Sequence, residues 1–143
     1  MDKRFWICGL VMSIAALLFG FVVHGLLLSA DYDALGAMYR NDADSQHYMH
    51  WMIIAHVLVG FAMTWIYAQG FSGGKSTSAQ GLRFGLAMAL FSTIPGYLVY
   101  YAVQPLPASL AIKQIVFSTI GMLLLGLLVA WLQPRRRVLA ELD

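Results

Sequence analysis

Residues 108–132 read ASLAIKQIVFSTIGMLLLGLLVAWL, an unbroken apolar stretch whose one charge is Lys113. As a helix rising 1.5 Å per residue it would reach about 37 Å, longer than the roughly 30 Å hydrocarbon layer of a bilayer. Working outward, residues 5–29, 49–68 and 84–103 form three further stretches of this kind. Together they explain a 143-residue composition of 60% hydrophobic and 11% charged residues, which no soluble fold of this size could hide. Helix is the form that lipid permits, because each backbone N–H and C=O must find its partner inside its own segment. The alternating pattern of a membrane barrel strand is missing from these continuous runs. The expectation is an all-α, polytopic protein: one transmembrane domain over 1–143, a bundle of four transmembrane helices.

The first run follows Lys3 and Arg4, and Ser29-Ala30 resembles a cleavage site. A secretory core needs only about 7–15 apolar residues, however, so this longer run reads as a retained span. Orientation follows from the basic residues, which resist translocation. Lys3, Arg4, Lys75, Arg83, Arg135, Arg136 and Arg137 fall on one side, against Arg40 and Lys113 on the other. Both termini and a 69–83 connection are therefore expected in the cytoplasm. The 30–48 loop, with Asp31, Asp33, Asp42 and Asp44, is expected outside. The formal net charge of +2 is the topology signal and calls for no nucleic-acid partner; the lipid bilayer is the implied surroundings. The one cysteine, Cys8, excludes an internal disulfide.

Helix association in lipid depends on close packing, so small residues mark touching faces. Gly9, Ser13, Ala16, Gly20 and His24 share one face of the first helix. Gly85, Ala89, Ser92, Gly96 and Tyr100 repeat that spacing 76 residues later, and Gly-Leu-x-Met opens both stripes. With Gly60 aligned on Gly121 in the second and fourth helices, two parallel hairpin repeats are one reading; ordinary small-residue packing is the other. Pro95 should kink the third helix.

Chemistry concentrates on the histidines. His24 and His56 each lie roughly 7–10 Å below the exterior surface, each with a glycine one turn deeper, and Lys113 has similar depth. Two neutral imidazoles could ligate haem b or a transition metal, with Lys113 near an anionic group; the bland alternative is hydrogen bonding between helices. Asp44, His47 and His50 recur every three residues and, in one continuous helix, could hold a surface metal; solvated acids at a helix N-terminus explain the acids equally. The Gly70–Ser78 loop lacks the glycine and the preceding strand of a phosphate-binding loop and reads as a connector. Tyr97, Tyr100 and Tyr101 read as interfacial anchors, with a pigment or quinone site as the sharper alternative.

Gly-Leu-Arg-Phe-Gly at 81–85, Tyr-Tyr-Ala-Val-Gln-Pro-Leu-Pro at 100–107 and Lys-Gln-Ile at 113–115 resemble a group of small, uncharacterised bacterial four-helix integral membrane proteins. The resemblance implies a bacterial inner-membrane setting and no activity, ligand or catalytic residue. No nucleophile–base pair, carboxylate pair or complete metal signature is visible, which points away from an enzyme. The first functional expectation is a protein acting by association, as a homo-oligomer or an accessory subunit of a larger membrane complex. Small residues Thr119, Gly126 and Ala130 on the fourth helix suggest a face for that partner, roughly 100° or more around the helix from a bundle face of Gln114, Ser118 and Gly121. The alternatives are a haem- or metal-binding redox or sensing module using His24 and His56, and a small transporter.

Overall fold

The computed structural model describes residues 3–36, 38–70 and 76–133, apart from the side chain of Asp42. Lys75, the connector residues 71–74 and Arg135 to Arg137 lie outside the described residues. Four helices long and apolar enough to cross a membrane run over Lys3–Leu27, Met49–Gln69, Thr77–Val103 and Ala108–Leu132. Their outward faces carry large apolar side chains, including Phe91 at 80% and Val103 at 73% exposure. A surface of that kind suits hydrocarbon and not water.

The third helix starts at Thr77, seven residues before the apolar run that identifies it in the sequence. The Ser76 hydroxyl accepts a hydrogen bond from the Ala79 amide at 3.2 Å, and this N-cap lets polar residues form the first turns. Hydropathy marks the part of a helix apolar enough for lipid, whereas a cap marks where its backbone begins. The connection between hairpins is correspondingly shorter than 69–83.

Packing is pairwise. The first helix lies along the second and the third along the fourth, and the first and fourth join the two hairpins. Gly60 receives Ser13, whose hydroxyl donates to Gly9 O at 2.7 Å and approaches Val57 O at 3.3 Å. A polar side chain thus stays satisfied where the helices touch. In the other hairpin the backbones themselves meet: a Cβ on Gly126 would lie 2.7 Å from Gly85 Cα, and one on Gly81 would lie 2.8 Å from Leu127 Cα. Gly9 faces Phe61 and Gly85 faces the Met122–Leu123 backbone, while Gly121 receives the Phe19 ring from the first helix.

Two sequence expectations change here. Gly126 and Ala130 are buried inside the third–fourth helix contact and are not an outward face for a partner, since the fourth helix has neighbours on two sides. On the third helix, Gly85 and Ala89 are buried as contact residues, but Ser92 is exposed and a Cβ on Gly96 would meet nothing within 4 Å. The small-residue stripe therefore packs only along its lower half. At the break, residues Ala89–Thr93 form a π-helical turn directly before Ile94-Pro95. Proline cannot donate to the ladder and crowds the carbonyl four residues back, and a widened turn relieves both problems.

Core residues form two clusters. Cys8, Met12, Met63, Tyr67, Leu125 and Val129 fill one end, and Val23, Leu28, Leu106 and Leu110 the other. At the Cys8 end, the Gln133 amide donates to Thr64 O at 3.0 Å, tying the end of the fourth helix to the first hairpin.

Candidate functional site

A second π-helical turn, Phe21–Leu27, ends the first helix and carries His24. The chain then bends at Leu28, whose amide bonds to Val23 O at 2.9 Å, and the short helix Ser29–Asp33 returns Tyr32 to a position beside His24. Wide turns of this type recur at functional sites because they re-aim a side chain that a regular ladder would hold elsewhere.

Five side chains form one hydrogen-bonded chain at this end of the bundle. Gln114 donates to the Tyr32 hydroxyl at 3.1 Å. Tyr32 lies 2.7 Å from His24 Nδ1, and His24 Nε2 lies 3.3 Å from the Tyr97 hydroxyl. Ser118 completes the chain, donating to Tyr97 at 3.1 Å. The fourth helix thus anchors both ends, with the short helix Ser29–Asp33, the first helix and the third helix between them.

Hydrogen counting defines what the chain can offer. Its members bring six hydrogens, two from Gln114 Nε2 and one each from Tyr32, neutral His24, Tyr97 and Ser118, to four links, so besides the second Gln114 N–H one phenol hydrogen is spare. When His24 donates through Nε2, the spare hydrogen belongs to Tyr97; when it donates through Nδ1, the spare hydrogen belongs to Tyr32. Burial pushes the Tyr32 phenol up to about 12, against the lowering effect of the Gln114 hydrogen bond, so it remains protonated at neutral pH. Burial, then neighbouring Tyr97 and Tyr100, also raises Tyr39.

Four members of the chain, His24, Tyr97, Gln114 and Ser118, border a cavity of about 630 Å³ to which all four long helices contribute. No extended contact joins the second helix to the third, and the cavity occupies the space between them. Gly96 and Ser92 line it, which explains why the upper half of their stripe has no partner. Aromatic and aliphatic groups such as Phe19, Tyr100 and Met122 line it as well, and among the described residues no Asp, Glu, Lys or Arg does.

His24 and His56 both line this cavity, but they play different parts. Met52 O can only accept, so the 2.7 Å contact from His56 Nδ1 places the ring hydrogen there and leaves Nε2 as a bare acceptor. Gly20 makes room for it: a Cβ there would lie 2.8 Å from His56 Nε2. His24, in contrast, has phenols on both ring nitrogens.

Three other expected sites come out differently. Lys113 lies 2.8 Å from each oxygen of Asp31 and is absent from the cavity lining, so its charge is already matched. Asp44 pairs with Arg40 at 2.7 Å and its amide is capped by Asn41. The helix Asp42–His47 breaks at Tyr48 before Met49 begins the next, which separates the face that His47 and His50 were to share. Among the described residues no three His, Cys, Asp or Glu side chains group as an ion site. Tyr97, read in the sequence as an interfacial anchor, is a member of the internal chain, and Tyr32 and Tyr39 carried no sequence signal beyond being aromatic residues in a loop. Gln114 could have been found, since it is one of the few amide side chains inside an apolar run.

Comparison of the chain with family models, curated proteins and solved structures finds no match.

Proposed function

We propose that this protein is a bacterial inner-membrane binding protein, with both termini cytoplasmic, that holds an uncharged lipid-soluble molecule between its four helices. The observation that carries this reading is the cavity of about 630 Å³, in the size range of small-molecule sites, bordered by a polar chain drawn from separate parts of the fold. Polar groups at membrane depth are costly unless paired, and a chain that leaves the Tyr97 hydrogen spare when His24 donates through Nε2 is suited to receive an acceptor from a ligand. The absence of charged lining among the described residues favours a neutral occupant. Two π-helical turns border the same space, one bearing His24 and the other Ser92 and Thr93.

Gly96→Leu provides the test, because it projects a side chain into open space. Protein purified in mild detergent is extracted with organic solvent, and the molecules carried by wild type and variant are compared. A neutral compound retained in near-equal molar amount by wild type and lost from Gly96→Leu supports the reading. Identical extracts, or none from either, overturn it.

A second reading, ligation of haem or a transition metal through an imidazole, draws on one specific observation: His56 presents an unprotonated Nε2 oriented by a backbone carbonyl, as metal-bound histidines do. It requires His24 to release a phenol before it can serve as the second ligand. Visible absorption and metal analysis of protein made with haem and copper available separate the two readings. A band that disappears in His56→Ala supports ligation, and a colourless, metal-free wild type rejects it.

A further inference from the structure

We propose that the cavity selects a ring compound of the quinol class, with a hydroxyl donating to His56 Nε2 and an oxygen at the far end accepting from Tyr97. This inference rests on the reading of the cavity as a site for a neutral lipid-soluble molecule.

The two flanking helices present opposite hydrogen-bonding characters. On the second helix, His56 is held by Met52 O as an Nδ1–H tautomer, so the nitrogen left for a ligand is an acceptor and requires a donor from it. On the third helix, Tyr97 receives a hydrogen from Ser118 and, when His24 donates through Nε2, a second one, which leaves its own hydrogen for a ligand oxygen. A hydroquinone meets both demands at once, because each of its oxygens can donate or accept. The oxidised quinone meets one: its two carbonyls only accept, and the one opposite His56 would face a lone pair. Flat aromatic lining from Tyr100 and Phe19 suits a ring, and the unpacked gap between the second and third helices is an entry open to molecules dissolved in the bilayer. A carboxylate-bearing ligand finds no cation here, since Lys113 pairs with Asp31 outside the cavity.

The probes are decyl-benzoquinol, kept anaerobic, and decyl-benzoquinone, titrated into the full chain in detergent micelles or lipid nanodiscs. The quinol is expected to bind about tenfold more tightly than the quinone, the equivalent of one well-formed hydrogen bond. Tyr97→Phe should weaken both probes by a few-fold to tenfold, whereas His56→Leu should remove the preference for the quinol. Gly96→Leu should abolish both, with circular dichroism and thermal unfolding showing that each variant remains folded. Equal binding of quinol and quinone, or a quinol preference that survives His56→Leu, overturns the assignment. Binding that persists undiminished in Gly96→Leu means partitioning into the micelle and also overturns it. If neither probe binds while Gly96→Leu still loses a different co-purified neutral compound, the ligand class fails and the binding-protein reading stands. If no such compound exists, both fail.

Discussion

Tyr32 follows His24 by only eight residues yet returns to it in space, its hydroxyl 2.7 Å from the imidazole Nδ1. The bend at Leu28 makes that return possible, and the Gln114 amide holds the phenol from the opposite side. One hydroxyl therefore ties the short helix Ser29–Asp33 to the first and fourth helices. Tyr32→Phe should destabilise the bundle by about 1–3 kcal/mol, the cost of leaving partly buried partners unsatisfied. An unchanged unfolding midpoint in mixed micelles would show that the link carries no stability.

The same phenol makes a prediction about alkaline pH. Its folded value is raised to about 12 from the ordinary 10.0. A raised value means that the folded protein holds the proton longer than the unfolded chain. The corresponding stability is complete below pH 10 and is lost as pH rises toward about 12. The difference in phenolate absorbance between wild type and Tyr32→Phe should isolate one tyrosine that ionises near 12. A difference curve centred near 10 would contradict it.

Gly60 and Gly96 should respond oppositely to the same substitution. A Cβ on Gly60 would lie 2.6 Å from Ser13 Cα, and backbone yields poorly. Gly60→Ala is expected to cost about 1–3 kcal/mol through overpacking. Around Gly96 there is open space, so Gly96→Ala should be neutral or gain up to about 1 kcal/mol from helix propensity. Paired unfolding curves check both signs, and equal effects would refute the packing register.

The Lys113–Asp31 pair is expected to add little to stability. Its side chains are 47% and 26% exposed, so solvent screens the attraction. Asp31→Asn should change unfolding free energy by less than about 1 kcal/mol, and by less still in high salt. A loss well above that, insensitive to salt, would mean the pair works in a drier setting than its exposure implies.

Cys8 is 2% exposed and touches Thr64 and Gln133. Its alkylation in the folded protein should be at least about tenfold slower than in denatured protein, as for other buried thiols. Gln133→Ala removes the cover at this end and should accelerate labelling. Rapid labelling of the intact wild type would indicate a looser end than the packing shows.

Much of the architecture was legible in the sequence because the membrane constraint acts locally. A run such as 108–132 must coil to pair its own backbone whatever its neighbours do, so helix number and approximate limits follow from composition alone. Gly9, Ser13, Gly60 and Gly121 likewise announced close contact, since small residues at helical spacing have few other uses there. The start at Thr77 was less visible, because a serine cap leaves a weaker mark than twenty apolar residues.

The site was only half legible. Sequence brought His24 and His56 to one depth, but which hydrogen each nitrogen carries depends on Tyr32, Tyr97 and Met52 O, and only the first of these partners sits near His24 in the chain. Sequence placed Lys113 at the right depth as well, and it did not foretell that Asp31, 82 positions away, would claim it. The sequence by itself determined that four apolar segments must be helices, because each satisfies its own backbone. Only the tertiary structure decided which polar side chains meet, and that Gly96 faces a cavity while Gly85 faces a helix. Those outcomes depend on how separate helices lean against one another, which no single segment encodes.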